Sequence, residues 1–172
     1  TAGNVSNKIK NNFTRVLKGH ISVITCDLKK KFNGHLIDKL ARKFLKKAGL
    51  NYSHGTGHGV GFFLNVHEGP QSIARNNKIP LKKGMILSNE PGYYLNNKYG
   101  IRIENLIYLD KVRNNLIFKN LTLAPMDLDM INFNMLTKRE REYLFNYHLE
   151  VYSKLSKYLT KAEKKWMISL IK

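Results

Sequence analysis

His54-Gly55-Thr56-Gly57-His58-Gly59-Val60-Gly61-Phe62-Phe63-Leu64-Asn65-Val66-His67 is the stretch around which the chain is organised. Three of the six histidines fall within it, and four glycines alternate through it. Two carboxylates follow in well-marked settings: Glu90 in Ser88-Asn89-Glu90-Pro91-Gly92, and Glu104 in Gly100-Ile101-Arg102-Ile103-Glu104-Asn105. Imidazole nitrogen and carboxylate oxygen together form a donor set suited to Zn²⁺, Mn²⁺ or Co²⁺.

A single histidine is usually structural, but two at i and i+4 among glycines are harder to dismiss. Glycine at 55, 57, 59 and 61 argues against a helix here. In an extended segment His54 and His58 share one face, while the glycines on the other let backbone or ligand approach closely. The glycines match a dinucleotide-binding G-x-G-x-x-G only loosely, with no strand–helix context. Glu90 and Glu104 could be solvated, as most glutamates are. However, Glu90 is predicted at a strand end, and Glu104 beside Arg102 in an apolar run, where an acid needs a partner or a metal.

Upstream, Val5, Ile9, Phe13, Val16, His20 and Ile24 recur at helical steps and predict a helix over about 4–24. Leu36, Ile37, Leu40, Ala41, Phe44 and Leu45 predict a second over about 35–48, stopped by Gly49. Residues 51–125 are rich in Gly, Pro and Asn, with strands predicted at Met85–Ser88, Tyr99–Leu109 and Asn115–Leu123. Pro91-Gly92 and Asn96-Asn97 are the predicted turns. Thr137 with Glu140, and Thr160 with Glu163, predict two capped C-terminal helices. Leu144, Tyr147, His148, Val151 and Leu155 form the apolar stripe of the first, and Trp166, Met167, Leu170 and Ile171 are core candidates in the second. The order predicts an α+β fold, with helices packed on one face of a curved antiparallel sheet and further helices at the C-terminus.

A length of 172 residues suits one domain with a real core. No apolar run approaches the roughly 20 residues of a membrane span, and the N-terminus has no apolar signal core. The single cysteine, Cys26, excludes an internal disulfide, agrees with a reducing cytoplasm, and reads as a buried, inert thiol. The net charge of +18 invites a nucleic-acid reading. Against it, 23 Lys stand beside 7 Arg, with 19 Asn and 14 Ile, as drift from an AT-rich genome would give. The basic residues are dispersed; Lys29-Lys30-Lys31 and Lys46-Lys47 are the densest clusters. No specific nucleic-acid partner is expected.

Taken in order, His54-Gly-Thr-Gly-His58-Gly-Val-Gly, Asn65-Val66-His67-Glu68-Gly69-Pro70, Asn89-Glu90-Pro91-Gly92-Tyr93-Tyr94 and Gly100-Ile101-Arg102-Ile103-Glu104-Asn105 resemble the Xaa-Pro aminopeptidase (aminopeptidase P) branch of the pita-bread, M24-type metallopeptidases. The resemblance covers nearly the whole chain. It implies a curved pita-bread sheet, here incomplete, and a dinuclear centre of two Asp, one His and two Glu. Manganese is the first expectation, with zinc or cobalt as alternatives. By motif, His58 is the His ligand, Glu90 and Glu104 are the Glu ligands, and Glu90 also takes a proton from the nucleophilic water. His54 and His67 line the substrate side, and Arg102 orients a metal carboxylate.

In the family the two Asp ligands lie on a hairpin upstream of the first helix. Asp27 and Asp38 share the family's spacing of eleven but lie too near His54, and Asp38 falls inside a predicted helix. The expectation is therefore a C-terminal catalytic portion over 1–125, a helical extension over 126–172, and no Xaa-Pro aminopeptidase activity without a complementary N-terminal chain. The resemblance also implies peptide substrates with proline second, a homodimer and a cytoplasmic location. The competing reading is a non-catalytic pita-bread binding module, or a remnant, with protein or nucleic-acid partners.

Overall fold

The computed structural model describes residues 3–28, 33–63 and 65–171; the Lys29–Lys31 cluster lies outside them. The chain divides into two compact units, Arg15–Thr122 and a second formed by Thr1–Thr14 with Leu123–Lys172.

The first unit holds most of helix α1 (Asn7–Ile24), helix α2 (Gly34–Lys46) and all the strands. α1 starts three residues later than the periodicity suggests. Val16, Leu17, Ile21 and Val23 are buried. Gly19 is required by packing: a Cβ there would sit 2.2 Å from the Ala41 carbonyl oxygen of α2. The Asn33 side chain caps α2 by accepting from the Leu36 N–H. Ile37, Ala41 and Leu45 form its apolar face. Gly49, at φ 68°, closes the turn after it.

Among the described residues the strands form three small antiparallel sheets. β1 (Gly57–His58) pairs with β2 (Ser72–Ile73). β3 (Ile86–Asn89) pairs with β6 (Asn105–Val112), which pairs with β7 (Asn115–Asn120). β4 (Gly92–Leu95) pairs with β5 (Tyr99–Arg102). Two predictions are corrected here, and one omission is filled. Tyr99–Leu109 is not one strand: it breaks after Arg102 and resumes at Asn105, leaving Glu104 between two sheets and exposed rather than in a buried strand. Gly92 lies in β4 rather than in a turn. The turn that sequence reading omitted is Arg113-Asn114, both residues at positive φ, which joins β6 to β7.

In the second unit, Thr137 and Thr160 cap α3 (Lys138–Leu155) and α4 (Lys161–Ser169) with both predicted capping boxes complete. Leu144, Tyr147, His148 and Val151 are buried. His148 is structural: its Nε2 accepts the Met126 N–H at 3.0 Å, and burial lowers its pKa. Met167 is buried, whereas Trp166 is 58% exposed, contrary to expectation. Nine residues give α4 room to bury only a narrow stripe. Among the described residues no helix is long and apolar enough to cross a membrane.

Candidate metal centre

His58 ends β1, Glu90 follows β3, and Glu104 precedes β6. Separated by up to 46 positions in sequence, they meet in space. One nitrogen of His58 and one oxygen from each glutamate all lie within 4.8 Å of one another. Two ligands on opposite sides of an ion, each at about 2.1 Å, are about 4.2 Å apart, so modest closure brings all three donors to one ion.

The glycines allow this assembly. A Cβ at Gly57 would lie 1.9 Å from the Ser88 carbonyl oxygen, so only glycine lets β1 approach β3 this closely. Ser88 then ties the two ligands together. Its Oγ accepts the His58 N–H at 2.9 Å and donates to Glu90 Oε1 at 2.8 Å.

The hydrogen bond at His58 Nδ1 determines what Nε2 offers. Nδ1 lies 3.0 Å from the Gly59 carbonyl oxygen, which can only accept, so Nδ1 carries the proton. In the neutral ring, Nε2 then presents a lone pair, 3.4 Å from Glu90 Oε1. An imidazole nitrogen and two carboxylate oxygens this close together form a donor set that fits a divalent metal, and fixing the ring through its other nitrogen is how histidine ligands are commonly oriented.

The remaining predicted residues surround this core. Arg102 Nη1 lies 3.5 Å from Glu90 Oε2, on the side away from His58. The His67 ring centroid is 4.1 Å from that of His58. His54 is one step further out. Its Nδ1 donates to the Gly55 carbonyl at 2.6 Å, its Nε2 accepts from the Tyr94 hydroxyl at 3.0 Å, and that hydroxyl accepts from Arg102 Nε at 2.8 Å. The Tyr94 bond is the main cause of a raised Arg102 pKa, with Glu90 and Glu104 contributing.

Sequence reading assigned no role to Tyr94 or Ser88. Strand alternation was the available signal for both, because Tyr94 stands two residues beyond Gly92 on β4 and Ser88 two before Glu90. Asp38 is in α2, paired with Arg42 at 2.8 Å. Cys26 is half-buried, with burial raising its pKa to about 12.

Residues 1–111 match metallopeptidase family M24, and residues 114–171 match the C-terminal region of that peptidase family. The chain belongs to family M24. This M24 chain is 44% identical over 165 residues to a probable Xaa-Pro aminopeptidase P of Laccaria bicolor, covering 90% of the chain and 26% of the relative. It is 47% identical over 154 residues to aminopeptidase P2 of Arabidopsis thaliana, covering 84% and 22%. It superposes with a TM-score of 0.89 and 37% identity on the X-prolyl aminopeptidase of Caenorhabditis elegans, described as a cytosolic enzyme with a di-nuclear active site, covering 98% of the chain and 29% of that structure. The M24 chain thus spans about a quarter of the length of the curated relatives it matches. A metal-binding His and Glu set is the chemistry that a metallopeptidase requires.

Proposed function

We propose that these residues are the C-terminal part of the catalytic unit of a metal-dependent Xaa-Pro aminopeptidase, which removes the residue preceding proline at a peptide N-terminus. Residues 1–125 belong to the catalytic unit and 126–172 to a helical extension. The observation that carries this reading is the convergence of His58, Glu90 and Glu104, with His58 Nε2 3.4 Å from Glu90 Oε1.

In this reading His58, Glu90 and Glu104 would hold a divalent pair, manganese first, completed by two aspartates from chain outside these residues. Bound metal supplies Lewis-acid polarisation of the scissile carbonyl and lowers the pKa of water. Glu90 accepts a proton through Oε1 or Oε2, oriented by Ser88 and counterbalanced by Arg102. His67, beside His58, and His54, held by Tyr94, line the substrate side and orient the peptide. The whole enzyme is proposed to be cytosolic and dimeric.

The test is release of the N-terminal residue from a short Xaa-Pro peptide. The 172-residue chain alone, supplied with Mn²⁺, is expected to release none. The same chain joined to the preceding part of an M24 catalytic unit is expected to be active. Activity of the isolated chain, or inactivity of the completed unit with both parts folded, contradicts the proposal.

A further inference from the structure

We infer that the buried Asp38–Arg42 pair of α2 is a positioning device that sets His54 and Glu90 relative to each other. The inference rests on the reading of those two residues as parts of the site.

Arg42 is 2% exposed and Asp38 1%. A buried ion pair that only stabilised α2 would need no further partners, but Arg42 uses its guanidinium as a clamp. Nε donates to both Asp38 oxygens at 2.9 and 2.8 Å. Nη1 donates to Asn51 Oδ1 at 2.9 Å and to the Tyr52 carbonyl at 2.7 Å. Nη2 donates to the His54 carbonyl at 2.6 Å. The guanidinium also lies 3.9 Å from the Tyr52 ring centroid. One side chain thereby fixes the irregular segment 51–54, which has no strand or helix of its own.

Two arms run from this pair to Glu90. In the first, Asp38 Oδ1 accepts from Thr56 Oγ1 at 2.7 Å, and the Thr56 carbonyl accepts the Glu90 N–H at 2.8 Å. In the second, Arg42 holds the His54 main chain, His54 Nε2 meets Tyr94, Tyr94 meets Arg102, and Arg102 faces Glu90 Oε2. The arms close a ring with the ion pair at one end and Glu90 at the other. Lysine cannot replace Arg42 in this ring, because a single ammonium cannot reach separated acceptors in a planar fork.

The test uses the 172-residue chain and the variants Arg42→Lys and Thr56→Val. Nuclear magnetic resonance reads the ring nitrogens of His54 and the amide of Glu90, with the Leu109 amide of β6, in the same unit and bonded to the Met85 carbonyl, as the folding control. Calorimetry reads Zn²⁺ affinity. With the Leu109 amide unchanged, Arg42→Lys is expected to move both the His54 and Glu90 signals, and Thr56→Val to move the Glu90 amide. Zn²⁺ affinity is expected to fall about 10–100-fold in Arg42→Lys. A folded Arg42→Lys chain with His54 and Glu90 unmoved overturns the inference. If Arg42→Lys does not fold, Thr56→Val decides, and an unmoved Glu90 amide overturns it. If the unaltered chain binds no Zn²⁺, the metal reading fails, and the resonance shifts still decide the positioning claim.

Discussion

His20 is fully buried, and its ring faces the main chain of Ile103 and Asn89 without completing a hydrogen bond of ordinary geometry. Burial lowers its pKa from 6.5 to about 4, only partly offset by that main chain. Below pH 6.5 the unfolded chain therefore takes up a proton that the folded chain refuses. His20 favours the native state above about pH 6.5, and that advantage is lost as pH falls towards 4, amounting to on the order of 3 kcal/mol at the acid end. Urea unfolding at pH 7 and pH 4.5 should show the loss, and His20→Gln should flatten the part due to this group. The hydroxyl of Tyr94 bears on a different property. Tyr94→Phe removes both the Arg102 and His54 bonds at a position 39% exposed. It should change the melting temperature little while releasing the His54 ring, visible as a shift of its Nε2 resonance.

The residues of the proposed metal site stood out in sequence because their surroundings are chemically unusual: alternating glycines around His58, and a Pro-Gly after Glu90. The residues that hold them were not, because their partners are distant. Arg42 reads as one more cation on a lysine-rich helix until the fold brings Asn51, Tyr52 and His54 onto it.

Among the elements, helix ends were the most readable, since a capping box is a local chemical pattern. Both boxes form as Thr137–Glu140 and Thr160–Glu163. Thr137→Ala should destabilise the helical unit by about 1 kcal/mol, measured by chemical denaturation, through loss of the bond to the Glu140 N–H. Strand limits were less readable. Ile101 and Ile103 alternate as one strand would, yet pairing changes between them and Asn105: β5 pairs with β4, and β6 with β3 and β7. Alternation reports a buried face and says nothing of which partner supplies the hydrogen bonds. That change of partner is also what frees Glu104 from a sheet face and turns it towards His58 and Glu90.

For the molecule as a whole, the motifs and the convergence of three donors agree with membership of family M24, a metallopeptidase family. Beside that convergence Arg102 lies 3.5 Å from Glu90. The central claim is that His58, Glu90 and Glu104 act together as ligands of a divalent metal. Calorimetric titration of the 172-residue chain with Zn²⁺, alongside His58→Ala, Glu90→Gln and Glu104→Gln, tests it most directly. The account predicts saturable binding to the unaltered chain and at least tenfold weaker binding in each variant, with the fold retained. Binding of equal strength in all four, or no binding by the unaltered chain, would contradict it.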